Sequence, residues 1–360
     1  MSTIFNRFFT ALRSVQNDRK GLSFRASAAR REISFLILTL SLISCETYFD
    51  VEIPEEPSKL YAFCVPGAED TTAIIIDVMK YAMSSETYDP TKAEIDFRVN
   101  GVSQEISYNK GYAVKNLPGD CFYTPCKINP QDKVTIDVSL DGLEDISSEA
   151  VIPDYPVNPQ FIIDLVDNSV NKSRFTLKYE DESDETYYAV LFREKEYHYE
   201  EWWYEDMPGV IEKSEYTDWY EMYSSSEYDT FQSFPELYRN SMNNQAGLMF
   251  WRNSDVPQEG GIRSITFNMY IKKDVIYSER SYIDYSYEAR LYKITKDLFD
   301  YYFSELVSAN NYLTDFGLAQ NYGTFTNIRN GFGILGGMAG VPMMCDPDIP
   351  AEEDRYLPEV

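Results

Sequence analysis

From residue 59 onward, apolar and polar positions alternate over short runs rich in β-branched and aromatic side chains. This period of two is the signature of half-buried strands. It predicts strands over 60–65, 73–79, 94–99, 103–107 and 133–140. Asn100-Gly101 separates two of these runs and Asp141-Gly142 follows another. Both dipeptides tolerate the positive backbone dihedrals of tight hairpins. Short strands at this spacing predict a β-sandwich of immunoglobulin-like size over 59–152. The three prolines of "VIPDYPVNP" then predict a linker.

A second β-rich region follows, with strands predicted over 161–166, 174–179, 187–192, 247–251, 264–272 and 287–292. It reads as a second sandwich-like domain, 160–345, carrying an acidic and aromatic insertion at 194–240. One helix is predicted near 295–309. Thr295 stands at its N-cap, Ile294 and Phe299 have hydrophobic-staple spacing, and Leu298, Tyr302 and Leu306 form an apolar stripe. The fold class is therefore mostly β: two β-sandwich (immunoglobulin- or fibronectin-like) domains, with one α-helix of the C-terminal region packed on the second. Residues 346–360 read as an acidic tail.

Charge changes the picture at the amino terminus. The chain has 32 Lys+Arg against 59 Asp+Glu, a net charge of −27. Such a surface repels phosphate backbones, which argues against a nucleic-acid partner. Seven basic residues nevertheless precede Cys45, with only Asp18 and Glu32 to oppose them. They lead into "FLILTLSLISCE", an apolar run far short of the ~20 residues a spanning helix needs. A basic segment followed by a short apolar one predicts a secretory signal peptide over 1–44. Leu42-Ile43-Ser44-Cys45 resembles the bacterial lipobox, so Cys45 is the expected lipidation site and the lipid the expected contact with a membrane. Residues 45–58 then form an acidic tether.

Four cysteines follow the tether: Cys64, Cys121, Cys126 and Cys345. The C-x4-C spacing of Cys121 and Cys126 allows a disulfide closing a small loop; free, buried thiols are the alternative. His198 is the single histidine, which leaves a zinc site and a serine-hydrolase triad without the imidazoles they use. Gly331 to Gly336 matches G-x-G-x-x-G, but the short, Pro-rich and acidic remainder leaves no room for a βαβ unit. A glycine-rich strand and bend packed on the sandwich is the better reading. "EDESDE" at 180–185 lacks the alternation and glycine of a calcium loop and reads as a solvated hairpin turn. Neither a cofactor nor a metal is expected, and no catalytic residue can be assigned.

The insertion holds the candidate contact residues. Trp202, Trp203, Tyr204, Trp219 and Tyr220 crowd into a short acidic stretch, and aromatic side chains are enriched at interfaces. The alternative is that they fill a long hairpin and cover the sandwich.

"FWRNSDVPQEGG", the strand "SITFNMYIKK", the helix, and "GTFTNIRNGFGILGG" together resemble a Bacteroidetes outer-membrane lipoprotein family catalogued as domain of unknown function 4249. The resemblance runs from Cys45 to about Gly337. It implies a two-domain β-sandwich protein with an amino-terminal lipid anchor at the outer membrane, whose gene neighbours point to a TonB-dependent transporter as partner. It carries over no catalytic residue, so a binding protein serving nutrient capture is expected. An independent carbohydrate-binding or adhesion lipoprotein, and a carboxylate-based glycoside hydrolase, are the alternatives.

Overall fold

The computed structural model describes residues 57–67, 70–80, 85–112, 114, 117–167, 172–203, 211–221, 238–239, 248–272, 274–278, 280–309, 323–345 and 352–353. Two compact units divide the chain, Met1–Glu55 and Glu56–Val360. The first, with the expected signal peptide and Cys45, lies outside the described residues, as does most of the expected tail.

The second unit is mostly β. Its first eight strands are β1 (Lys59–Cys64), β2 (Thr72–Met79), β3 (Glu94–Val99), β4 (Val102–Ser103), β5 (Ser107–Asn109), β6 (Cys121–Thr124), β7 (Lys133–Ser139) and β8 (Ile146–Val151). An antiparallel sheet has the order β4-β3-β7-β8, while β1, β2, β6 and β5 belong to another. The Asn100-Gly101 turn joins Val99 to Val102 in register, with φ of 51° and 81° at its two central residues. These dihedrals match the primed hairpin turn that the dipeptide favours. The single strand expected over 103–107 is instead two pieces. After Ser103 the chain leaves the first sheet, and β5 pairs with β6 in the second. Inward residues of both sheets, among them Leu60, Ala62, Ile74, Phe97, Val134 and Ile136, share one hydrophobic core.

The later elements are β9 (Val157–Asp167), β10 (Lys172–Glu180), β11 (Tyr187–Trp203), β12 (Ile211–Glu221), β13 (Tyr238–Arg239), β14 (Met249–Arg252), β15 (Gln258–Glu259), β16 (Ile262–Tyr270), β17 (Val275–Ser278), β18 (Ser281–Ile294), α1 (Lys296–Ala309), β19 (Phe332–Leu335), β20 (Met338–Cys345) and β21 (Glu352–Glu353). Strand β9 begins inside the expected linker. One sheet runs β15-β16-β10-β9; a larger one runs β13-β14-β11-β18-β17-β21, with β12 beside β11 and β20 beside β18.

Alternation along β11 sends its two faces to different neighbours. Tyr188, Val190 and Phe192 are buried with Phe161, Phe175 and Phe267 of the four-stranded sheet. Tyr187, Ala189 and Leu191 pack instead with Leu298, Phe299 and Tyr302 of α1. The helix starts where its local signals place it. Thr295 Oγ1 accepts from Leu298 N–H at 3.4 Å, and Ile294 and Phe299 are both buried.

The glycine-rich closing segment joins the two halves. β19 pairs in parallel with β1, completing the order β19-β1-β2-β6-β5, and β20 pairs antiparallel with β18. The ladder does not break between them: Gly336 N–H donates to Cys64 O at 2.9 Å, Met338 N–H to Pro66 O at 3.1 Å, and Thr295 N–H to Gly337 O at 2.9 Å. Residues 332–345 thus pair first with β1 and then with β18. Because β18 is antiparallel to both β20 and β11, the strands β1, β19, β20 and β11 all run the same way.

This packing explains the glycines. A Cβ on Gly331 would fall 2.6 Å from Leu60 O, and one on Gly336 would fall 2.8 Å from Leu298 Cδ1. The G-x-G-x-x-G match is therefore a place of close packing, against the β1 backbone at Gly331 and Gly333 and against the Leu298 side chain at Gly336.

Candidate functional site

Strand β11 outruns the cores that hold its first half. Past Phe192 it continues through Trp203, paired on one side with β12 and on the other with β18, which pairs in turn with β17. The 194–240 insertion is thus begun by a hairpin of regular strands. Together β12, β11, β18 and β17 make a four-stranded arm. Lys195 to Glu201 are only half-buried there, while Tyr188, Val190 and Phe192 are almost wholly buried.

Where the apolar core ends, charge replaces it. Glu194 is buried and its carboxylate accepts from Lys272 Nζ at 2.6 Å; the same ammonium reaches Glu196 at 3.1 Å. Lys272 follows the end of β16 and lies 5.1 Å from the centre of the Tyr285 ring. His198 Nε2 bonds the other oxygen of Glu196. Burial pushes the Glu196 carboxyl up, but His198 and Lys272 outweigh it and hold it below its ordinary value. Burial likewise lowers Lys272, and the two carboxylates reverse the sign, leaving it raised. Asp284, by contrast, is held up by burial and by the neighbouring charge of Asp274.

Toward the tip, aromatic rings pack on one another across the strands. Tyr199 stacks on Tyr282 with centroids 5.0 Å apart and planes 22° apart, and Lys213 lies over the Tyr199 ring at 5.7 Å. A groove of about 300 Å³ runs between His198, Tyr199, Glu200, Tyr277 and Tyr282, with Ser214 and Ser281 on its walls. Trp202, Ile276 and Tyr277 are large apolar side chains left exposed on this arm.

The structure separates the four described members of the five aromatic residues expected to act together. Trp202 and Trp203 stand at the tip, in register with Glu212 and Ile211. Trp219 and Tyr220 stand at the root, opposite Lys195 and Glu194. Seven strand positions between Lys195 and Trp202 correspond to about 23 Å, too far for one ligand-sized contact. Tyr204 and Cys45 lie outside the described residues. Sequence reasoning missed Lys272, Tyr277, Tyr282 and Tyr285. The "YSERSYIDYSYE" run does alternate aromatic and polar residues, but nothing local says that it pairs with β11.

Two further expectations change. Cys121 and Cys126 are free thiols, not a disulfide. Cys121 Sγ, on β6, lies 3.1 Å from Pro118 O, and Cys126 Sγ, past the end of that strand, lies 3.7 Å from Lys127 O, so the two sulfurs face different carbonyls. The "EDESDE" segment is not a hairpin turn, because β10 and β11 belong to different sheets. The Asp181 carboxylate accepts from Tyr188 OH at 2.6 Å and Thr186 Oγ1 at 2.9 Å, while Asp184 pairs with the buried Arg263 at 2.6 Å. Among the described residues, no group of three or more His, Cys, Asp or Glu side chains is placed to hold a metal ion.

These features define a mostly β protein with several antiparallel sheets, a single described α-helix and an aromatic, acidic arm. The chain belongs to the family described as a domain of unknown function (DUF4249), whose model matches residues 46–341. No curated protein matches it.

Proposed function

We propose that the protein is a lipid-anchored binding protein of the outer membrane, without catalytic activity, acting beside a TonB-dependent transporter in nutrient capture. The arm is the observation that carries this reading. A four-stranded sheet that leaves its own core and exposes Trp202, Ile276 and Tyr277 offers surface beyond what folding needs. The lipobox at Cys45 supplies the anchor. The chain joins the described body at the Lys59 end of β1. Following the common strand direction, the arm's tip lies at the other end of the ladder, up to about 75 Å of extended strand away.

The test is isolation of the carboxyl-terminally tagged protein from outer membranes of its native host in mild detergent. A stoichiometric TonB-dependent transporter among the co-purifying proteins is the expected result. A protein that purifies alone, with a Cys45→Ala variant still in the membrane fraction, would overturn both halves of the reading. The groove beside the stacked Tyr199 and Tyr282 favours one second reading, an independent carbohydrate-binding surface protein, since flat rings stack on sugar faces. Binding on a glycan array by the solitary protein would support it.

A further inference from the structure

We propose that the arm is the docking surface for a basic, extended segment of a partner protein, and that the groove between β11, β18 and β17 receives an Arg or Lys side chain of that segment. The proposal rests on the binding reading above and names the chemistry of the partner.

Charge supplies the first argument. Strands β11 and β12 together carry eight acidic residues against three basic ones. At the root, Glu194 and Glu196 are consumed by Lys272. Nearer the tip, Glu200 lines the groove and Glu215 is exposed. A partner of like charge would be repelled there, and a cationic one drawn in.

The rings supply the second argument. A cation over the face of an aromatic ring is attracted by the ring's quadrupole. The arm already uses this attraction twice within itself, in Lys213 over Tyr199 and Lys272 over Tyr285. Glu200, Ser214 and Ser281 are cross-strand neighbours on one face and offer the groove a carboxylate and hydroxyl acceptors, with the exposed Tyr277 as ring surface beside them, while the stacked rings of Tyr199 and Tyr282 alternate to the opposite face. A guanidinium or ammonium on an apolar stem matches that lining: stem against ring, charge toward Glu200. Its volume of about 300 Å³ holds a side chain or two and not a folded loop.

The first half of the unit supplies a control. A groove of about 460 Å³ there is lined by Glu94, Asp96, Asp137 and Asp145 and by no aromatic residue. If acidity alone attracted a partner, both grooves would bind the same probe.

The experiment uses the full chain in detergent and two synthetic nine-residue peptides. One alternates Arg/Lys with Thr/Val; the other carries Gln at every basic position. Calorimetry and tryptophan fluorescence follow binding. The cationic peptide is expected to saturate, to bind about tenfold more weakly as salt rises from about 50 to 300 mM, and to outbind the Gln peptide at least tenfold. Glu200→Lys and Tyr277→Ala, each checked for an unchanged unfolding midpoint, should each weaken it severalfold. The pair Glu94→Lys with Asp145→Lys should not. Equal loss in the arm and control variants would reduce the effect to diffuse charge and overturn the proposal. So would absence of binding, or displacement of the peptide by a neutral oligosaccharide. The same variants, tagged in the native host, separate this proposal from the one beneath it. A transporter that co-purifies equally with wild type and Glu200→Lys leaves the accessory role standing and removes the arm as its contact. No transporter with wild type removes the accessory role, and the peptide measurement alone then decides the surface.

Discussion

Gly333 lies so close to Ala62 that a Cβ placed on it would fall 2.0 Å from the Ala62 carbonyl oxygen. The two residues are paired in the parallel ladder of β1 and β19, and Gly333 has a φ of 105°. Both facts exclude a side chain: the dihedral disfavours any L-residue, and the space is filled by backbone. Two parts of the chain distant in sequence therefore depend on one missing methyl group.

Gly333→Ala is accordingly expected to destabilise the protein by about 3 kcal/mol or more, combining backbone strain with overpacking. Gly323→Ala is the matched control, since nothing lies within 4 Å of a Cβ there, and it should change little. Urea unfolding of both variants checks the contrast. Equal midpoints would mean that the β1–β19 ladder contributes nothing to stability.

Thr295 has two roles at one oxygen. Its Oγ1 accepts from Leu298 N–H at the start of α1 and from Gly337 N–H at 3.1 Å, so it caps the helix and pins the bridging strand. Thr295→Ala should cost about 1–2 kcal/mol, the upper range for a lost cap. Thr295→Ser should recover most of that, because it keeps the hydroxyl. Thermal unfolding of the pair is the measurement, and failure of Ser to rescue would assign the loss to packing of the threonine methyl.

Arg263 is buried and its guanidinium makes four hydrogen bonds. It donates to Asn253 O at 3.0 Å, Val256 O at 2.6 Å and Asp181 O at 3.1 Å, and pairs with Asp184. Arg263→Met would leave three carbonyl oxygens without this donor, and the loss is expected to be about 3 kcal/mol or more. Arg263→Lys should recover only part, since an ammonium lacks the planar fork. Denaturant midpoints for the two variants test the order.

What the sequence made legible is what local physics decides. Thr295, Ile294 and Phe299 announce the start of α1 because cap and staple act within one turn. Asn100-Gly101 announces its hairpin because the turn's dihedrals belong to those two residues. Partners distant in sequence leave no local trace. Phe332 to Leu335 pair with β1 across most of the chain, so a glycine-rich strand could be expected there but not the partner its glycines pack against. Ser147, Ser148 and Glu149 hid β8, because that strand's polar residues gave no clean alternation. The arm was half visible for the same reason. Its rings could be counted, yet the register that separates Trp202 from Trp219 and brings Tyr282 to Tyr199 is a property of pairing. Composition alone does not contain it.

The charge cluster at the root of the arm predicts how stability responds to pH. Glu196 is held below its ordinary pKa, as is Asp181, where hydrogen bonds from Tyr188, Ser183 and Thr186 and the charge of Lys293 outweigh burial. Both bind protons more weakly folded than unfolded. Their contribution is therefore complete above the unfolded pKa values, roughly pH 4–5, and is lost as pH falls through the lower folded ones. Asp284, raised by burial and Asp274, works in the opposite direction over the same range. Lys272 is raised, so its contribution is complete below the unfolded value, roughly pH 10, and is lost as pH climbs toward the folded one. Lys272→Met should cost about 1–2 kcal/mol near neutral pH, a modest figure because the ammonium is half exposed. The cost should shrink as pH falls through the lowered folded pKa of Glu196, because the protonated carboxyl no longer requires a cation. Urea midpoints of wild type and variant from pH 3 to pH 10 decide the matter. A difference that stays constant across that range would show that the lysine stabilises through its stem on the Tyr285 ring, with no contribution from the carboxylates.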